Sequence, residues 1–174
     1  MSEPNWDVDL VAKLTKLAEP KSIQRDVLAH LRRGLDRAPD YALARAGWLF
    51  TRVPPWALEE SLLVAGLFAW VKGNCRYERG INFGEAFGAK VDAVEKRQKR
   101  FIDLLDTDGD ELPYKIRQAI TLMDGTPLDW IKLIYDLKNW GEPERCVQKE
   151  WARGFWSQKR AEEAEADNEI VVES

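Results

Sequence analysis

The stretch Leu128–Trp140, LDWIKLIYDLKNW, decides the fold of this chain. Trp130, Leu133, Ile134, Leu137 and Trp140 recur three and four residues apart, which lines them up on one face of a helix. Leu128, Ile131 and Tyr135 form a second apolar stripe, roughly 130° around the helix by its 3.6-residue period. Thr126 is placed to cap it, Pro127 suits the first helical position, Asp129 stands three residues after the cap, and Gly141 follows its end. A helix that is apolar on two sides must be packed on two sides. The segment is therefore predicted at the centre of an all-α body, with its neighbours wrapped around it.

Those neighbours also read as helices, and nothing alternates convincingly as strand. Val8, Leu10, Val11, Leu14 and Leu17 predict a first helix ending near Glu19-Pro20. Ser22 is the expected cap of a second, with Ile23, Val27, Leu28, Leu31 and Leu35 inward and Pro39 breaking its end. A third runs through Ala42–Phe50 and is stopped by Val53-Pro54-Pro55. The fourth starts at Pro55, with Glu59 and Glu60 in its first turns, and is apolar through Val71. Gly73–Asn82 reads as a loop, and GINFGEAFG as a short turn with Phe83 and Phe87 four apart. A helix over Lys90–Leu105 turns Val91, Val94, Phe101, Ile102 and Leu105 inward. DTDGDELP reads as a turn, Tyr114–Met123 as a helix closing on Gly125, and the segment after Gly141-Glu142-Pro143 as a last helix with Val147, Trp151 and Phe155 inward. The expected class is an all-α, compact bundle of about eight or nine helices, with room for two small lobes dividing near residues 106–112.

Composition narrows the class. The chain has 174 residues, enough for one domain with a sizeable core or two small helical lobes, and its 45% apolar and 32% charged residues fit a globular protein. The densest apolar run, Leu62–Val71, is half the length of a membrane span. The segment MSEPNWDVD lacks the basic start and apolar stretch of a signal peptide, and Cys75 and Cys146 stand apart with no CxxC. The expectation is a cytoplasmic protein with reduced thiols. The net charge of −4 is unevenly spread: Lys159–Ser174 holds six of the 30 acids and two of the 26 bases, which leaves 24 of each in residues 1–158. Residues 1–158 read as a neutral helical body and 159–174 as an acidic tail, disordered or fraying. Any basic surface must come from arrangement rather than bulk charge.

Common catalytic signatures are missing. There is no GxxxxGK, HExxH or GxSxG, and no motif asks for a cofactor. The sole histidine, His30, falls at the edge of an apolar helix face, the setting of a structural histidine. Asp106, Asp108 and Asp110 imitate the start of a calcium loop, but the sixth position holds Glu111 where the backbone needs glycine, and the twelfth holds Arg117 where calcium needs a bidentate glutamate. They read as a turn and helix cap.

The cations are more informative once placed on helices. Arg145, Lys149 and Arg153 are four apart and form a row opposite Val147 and Trp151, with Trp156 outward on the same side. Lys96 and Arg100 face away from the core of their helix, with Arg97 and Lys99 on its flanks. Arg32, Arg33 and Arg37 run into the loop before Pro39. Rows of cations can neutralise successive phosphates, and an exposed indole can stack on a base. A solvated helix face is the plain alternative for each cluster. Trp6 and Trp56 are less clearly inward than most of the eight tryptophans and suit protein interfaces.

Taken in order, LRRGLDRAP (31–39), LFAWVKG (67–73), GINFGEAFG (80–88), RFIDLLDTDGDELPYKIRQAITLM (100–123) and LDWIKLIYDLKNWGEPERCVQKEWARGFW (128–156) resemble the small subunit of Cascade, the type I-E CRISPR surveillance complex (the CasB family). The resemblance runs from about Asp7 to Trp156. It implies an all-α, non-catalytic subunit with no cofactor, present as two copies in an RNA-guided complex. It also implies contacts with the backbone and large subunits, with crRNA and target DNA, and with the displaced strand of the R-loop, in antiviral defence. The family's basic surface is carried over to Arg32 and Arg33, to Arg97, Lys99 and Arg100, and to Arg145, Lys149 and Arg153; Arg37 and Lys96 join the candidates from their helix positions. The rival expectation is a protein-only assembly scaffold. An enzyme would need carboxylates or His30 to converge in a pocket.

Overall fold

The computed structural model of the chain describes residues 5–38, 40–89, 94–123 and 125–173, with backbone only at 94, 159–163, 166 and 169–173. Among them are nine α-helices and no strand: α1 Trp6–Leu17, α2 Arg25–Arg33, α3 Asp40–Ala46, α4 Leu58–Trp70, α5 Phe83–Gly88, α6 Val94–Leu105, α7 Leu112–Thr121, α8 Trp130–Lys138 and α9 Cys146–Glu173. The all-α class expected from periodicity holds. Val91, expected inward, and Pro39, expected to break the second helix, lie outside the described residues.

The central position of α8 follows from its two apolar stripes. Trp130, Leu133, Ile134, Leu137 and the following Trp140 are all buried, while Ile131 and Tyr135 on the second stripe are half-buried. α4, apolar all round, packs on one side of α8; α1 lies on another, where the Tyr135 hydroxyl donates to Asp7 at 3.0 Å. α4 also carries Gly66, where a Cβ would stand 3.2 Å from the Leu31 carbonyl oxygen, so α2 approaches it closely.

The start of α8 differs from the expectation. Asp129, not Thr126, caps it, its Oδ1 accepting from the Lys132 amide at 2.9 Å. Leu128 is spent elsewhere: its amide donates to the Arg76 carbonyl and its carbonyl accepts from Glu78, a lone parallel bridge between Tyr77 and Leu128. Asp129 Oδ2 also takes the Gly80 amide, and Trp130 Nε1 donates to the Cys75 carbonyl at 2.7 Å. The loop 75–81 is strapped across the foot of α8, which consumes the backbone groups that another helical turn would need.

GINFGEAFG is not a turn. Asn82 caps α5 through the Glu85 amide, and α5 packs against α9 more extensively than any other pair of elements. Gly84 and Gly88 face α9, and Gly154 faces back. A Cβ on Gly84 would lie 1.9 Å from the Trp151 carbonyl oxygen, and one on Gly154 2.7 Å from Asn82 Oδ1, so the backbones touch where side chains would normally separate them. Around this joint the rings of Phe83 and Trp151 stack at 4.7 Å, Phe101 and Phe155 at 4.3 Å, and Trp140 tilts against Trp151 at 5.1 Å.

Three segments depart from the expectation. Ile23, expected inward, is 98% exposed, because α2 begins only at Arg25; Ser22 does not cap it, its hydroxyl accepting only from the Gln24 amide at 3.3 Å. On α6 the inward stripe is Arg97, Phe101 and Leu104, while Ile102 is exposed. α9 is helical through Glu173, across the acidic run expected to fray. Alanine and glutamate there are strong helix formers, so backbone propensity extends the helix past its last packed turn.

Candidate nucleic-acid interface

α6 and α9 hold most of the cations singled out in the sequence, and the two helices meet through Phe101 and Phe155. On α9, buried Val147, Trp151 and Phe155 set the inward face, so Lys149 and Arg153, one turn apart, stand opposite and exposed. Trp156 lies on the same outer side and is 44% exposed, with its edge against Phe155. On α6, Lys96, Lys99 and Arg100 are exposed on the side away from Phe101.

Two of the predicted cations are placed otherwise. Arg97 is buried at 7% exposure, in line with Phe101 and Leu104 on the inward face of α6. Arg145 precedes α9 rather than belonging to it; its backbone is left-handed, with φ 55°, and its guanidinium donates to the Leu105 carbonyl at 2.7 Å. That bond caps the end of α6 and fixes the turn into α9. A sequence row at i, i+4, i+8 could not reveal that its first member lies outside the helix.

Arg32, Arg33 and Arg37 sit on α2 and the turn after it. Arg33 and Arg37 are exposed and Arg32 is half-buried. The main packing partners of α2 are α1, α3 and α4, so this cluster belongs to a different corner from α6 and α9. Here the structure adds residues that the sequence reading passed over. The Arg45 guanidinium lies 3.7 Å from the centre of the Tyr41 ring and donates to the Tyr41 carbonyl, and Arg37 approaches the same ring at 5.5 Å. Two guanidinium groups held by one tyrosine form a preset cationic corner. The spacing 37, 41, 45 is the signal that marks it. The His30 ring packs edge-on against Tyr41, their centres 6.4 Å apart.

Deeper in, Asp136 is buried; its Oδ2 accepts from Trp151 Nε1 at 2.8 Å and its Oδ1 from Lys132 Nζ at 3.2 Å, while Lys132 also reaches Glu150 at 3.0 Å. Burial holds this carboxyl above its ordinary range, against the opposing pull of Trp151 and Lys132. Lys132 is itself raised; burial opposes its charge, but Glu150 and Asp136 outweigh it. The group ties α8 to α9. Near α1, Trp6, Trp56 and Tyr135 form an aromatic cluster with Trp56 half-exposed, and burial together with the bond to Asp7 pushes the Tyr135 hydroxyl up to about 12. Among the described residues no group of three His, Cys, Asp or Glu could hold a metal ion, and no helix is long and apolar enough to cross a membrane.

Comparison with known proteins bears on this arrangement. The family model for CRISPR-associated protein Cse2 matches residues 27–156. The CRISPR-associated protein Cse2 of Thermus thermophilus is 35% identical over 111 residues, which cover 62% of this chain and 64% of that relative's own length, just under two thirds. The crystal structure of a Cse2-family protein from the same organism superposes with a TM-score of 0.71 at 28% identity, over 87% of this chain and 97% of the other. A chain of a CRISPR RNA-guided surveillance complex shares the fold, with a TM-score of 0.72 at 21% identity over 92% of this chain and 97% of that one.

Proposed function

The chain belongs to the Cse2 family of CRISPR-associated proteins, and on that footing we propose that it is a non-catalytic subunit of a type I-E RNA-guided surveillance complex, Cascade, in cytoplasmic antiviral defence. Guide RNA pairing supplies sequence specificity; this subunit supplies sequence-blind contacts to nucleic-acid backbone, above all to the displaced DNA strand. Exchange of a DNA duplex for a heteroduplex is nearly balanced, so a few such contacts tip it, and holding the displaced strand slows its re-annealing. The body, residues 1–158, does this work beside the backbone and large subunits, crRNA, target DNA and a second copy of itself.

The observation that carries the reading is the outer face of α9, where Lys149 and Arg153 stand exposed one turn apart beside half-exposed Trp156. Lys96, Lys99 and Arg100 extend it on the neighbouring helix. A protein-only scaffold is the second reading, supported by the half-exposed Trp6–Trp56–Tyr135 cluster and by the engagement of Arg97 and Arg145 within the fold.

Fluorescence anisotropy of labelled single-stranded DNA titrated with the subunit separates the two. Binding should fall steeply with salt and ignore sequence. Reversing both cations, Lys149→Glu with Arg153→Glu, should weaken it at least ten-fold at low salt and flatten the log–log salt slope by roughly 1.4, two phosphates' worth. In the assembled complex the same variant should shorten R-loop lifetime. Unchanged lifetime in intact complexes would count against this face and for the scaffold.

A further inference from the structure

Trp6, Trp56 and Tyr135 stand with their ring centres 5.9, 6.1 and 6.3 Å apart, and the two indoles lie nearly perpendicular, at 86°. The Pro54-Pro55 turn before α4 presents Trp56, which is 51% exposed; Trp6 at the start of α1 and Tyr135 on α8 are half-buried. Beside the rings lies Asp7. Its Oδ2 accepts from the Tyr135 hydroxyl at 3.0 Å and its Oδ1 from the Val8 amide at 2.8 Å. Both donors are neutral. Asp9, two residues on, is matched by Lys13 at 2.9 Å and Arg52 at 3.7 Å, whereas among the described residues no cation pairs with Asp7. A carboxylate and three aromatic rings, each attractive to positive charge, thus share one partly exposed corner.

Elsewhere the same chain completes such a set for itself. On α7 the Arg117 guanidinium lies 5.2 Å from the centre of the Trp70 ring and 5.9 Å from that of Tyr114, and it donates to Asp36 Oδ1 at 2.6 Å. Tryptophan, tyrosine and aspartate recur at the Trp6 corner, and the arginine does not. We propose that Trp6, Trp56, Tyr135 and Asp7 form a docking site for an arginine side chain of a partner protein. A guanidinium suits the corner better than an ammonium. It is planar and weakly hydrated, so it can lie flat on the exposed indole of Trp56 while its N–H groups donate to the carboxylate. Each Asp7 oxygen keeps a lone pair for that purpose. Tryptophan, tyrosine and arginine are also the residues that most often carry the binding energy of protein interfaces. The inference rests on the reading that the chain works as a subunit among other proteins; it gives this corner to protein contact and leaves the outer face of α9 to nucleic acid.

The experiment is an NMR titration of the full, isotopically labelled chain with the peptide acetyl-Gly-Arg-Gly-amide at low salt. It follows the tryptophan indole N–H signals, each identified by a Trp→Phe variant. Those of Trp6 and Trp56 should move and saturate, with a dissociation constant on the order of 10 mM for so small a contact. Those of Trp130, Trp140 and Trp151, which donate within the fold, should stay in place. Peptides with lysine or neutral citrulline in place of the arginine should bind about ten-fold more weakly. Asp7→Asn keeps an acceptor for Tyr135 and removes the charge, and Trp56→Ala removes a half-exposed ring; each should weaken the arginine peptide about five-fold. Circular dichroism checks that both variants fold. In the reconstituted surveillance complex, the chain carrying both changes should be retained about ten-fold less well than the wild type. Unmoved Trp6 and Trp56 signals, equal binding of the lysine or citrulline peptide, or full retention of the double variant overturns the proposal. A wild-type chain that fails to enter the complex strikes the reading beneath it, and the peptide titration then decides the site by itself.

Discussion

The joint between α5 and α9 and the cleft between α2, α4 and α8 are both made where helices pack side by side, with opposite results. At the joint, glycines at 84, 88 and 154 bring backbones together until a methyl group on Gly84 would sit 1.9 Å from a carbonyl oxygen. At the cleft, leucines hold the helices apart and about 320 Å³ stays open. Small residues facing each other close an interface, and large ones that do not interdigitate leave it available. The closed region positions the cationic face of α9, because any slip along α5 would turn Lys149 and Arg153 with it.

The harshest way to break that contrast is Gly84→Ala. Its Cβ would meet the Trp151 backbone, which has no flexible end to yield, so the cost is expected at about 4 kcal/mol or more. In a chain of this size that lowers the melting temperature by roughly 8–16 °C. Gly47→Ala, where no atom lies within 4 Å of the added carbon, is the control and should be silent. Equal effects at the two positions would mean the joint is looser than its geometry.

Asp136, which couples α8 to the same joint, comes next. Asp136→Ala orphans the Trp151 indole N–H and leaves Lys132 with Glu150 alone, a loss of about 3 kcal/mol. Asp136→Asn keeps an acceptor and should cost far less. The pH dependence has a definite sign. Burial raises this carboxyl in the folded state, so its contribution is full below the ordinary value of 3.8 and is lost as pH rises through the folded value. Urea midpoints of the wild type should therefore fall relative to those of Asp136→Asn as pH climbs through that window; a parallel course would mean the carboxylate is fully compensated.

The smallest effect belongs to the cleft. Leu62→Phe adds bulk where space exists, and stability should change by no more than about 1 kcal/mol in either direction. Chemical denaturation measures this, and a large loss would show that the cleft closes in solution.

Most of the fold was legible because helical periodicity reports which residues share a face. Val147, Trp151 and Phe155 are inward as read, and so are the five residues of the first α8 stripe. Lys149 and Arg153 were correctly placed outside for the same reason. Arg97 was not, since the α6 stripe was drawn through Ile102 when the packed line runs through Arg97, Phe101 and Leu104. A stripe can be counted within one helix, but its centre is set by the helix it meets. The Tyr41–Arg45 stack forms no row of cations; its signal in the sequence is a cation one turn from an aromatic ring.

Alone, then, the sequence determined the all-α class, the central two-sided helix and the outward face of α9, because these depend on spacing along one helix. Tertiary structure decided that Asp129 caps α8, that Gly84, Gly88 and Gly154 share a crossing, and that Arg145 is spent on the Leu105 carbonyl. Each of these joins residues distant in the chain, and no local period encodes which distant backbone group will claim a hydrogen bond or a glycine's missing side chain.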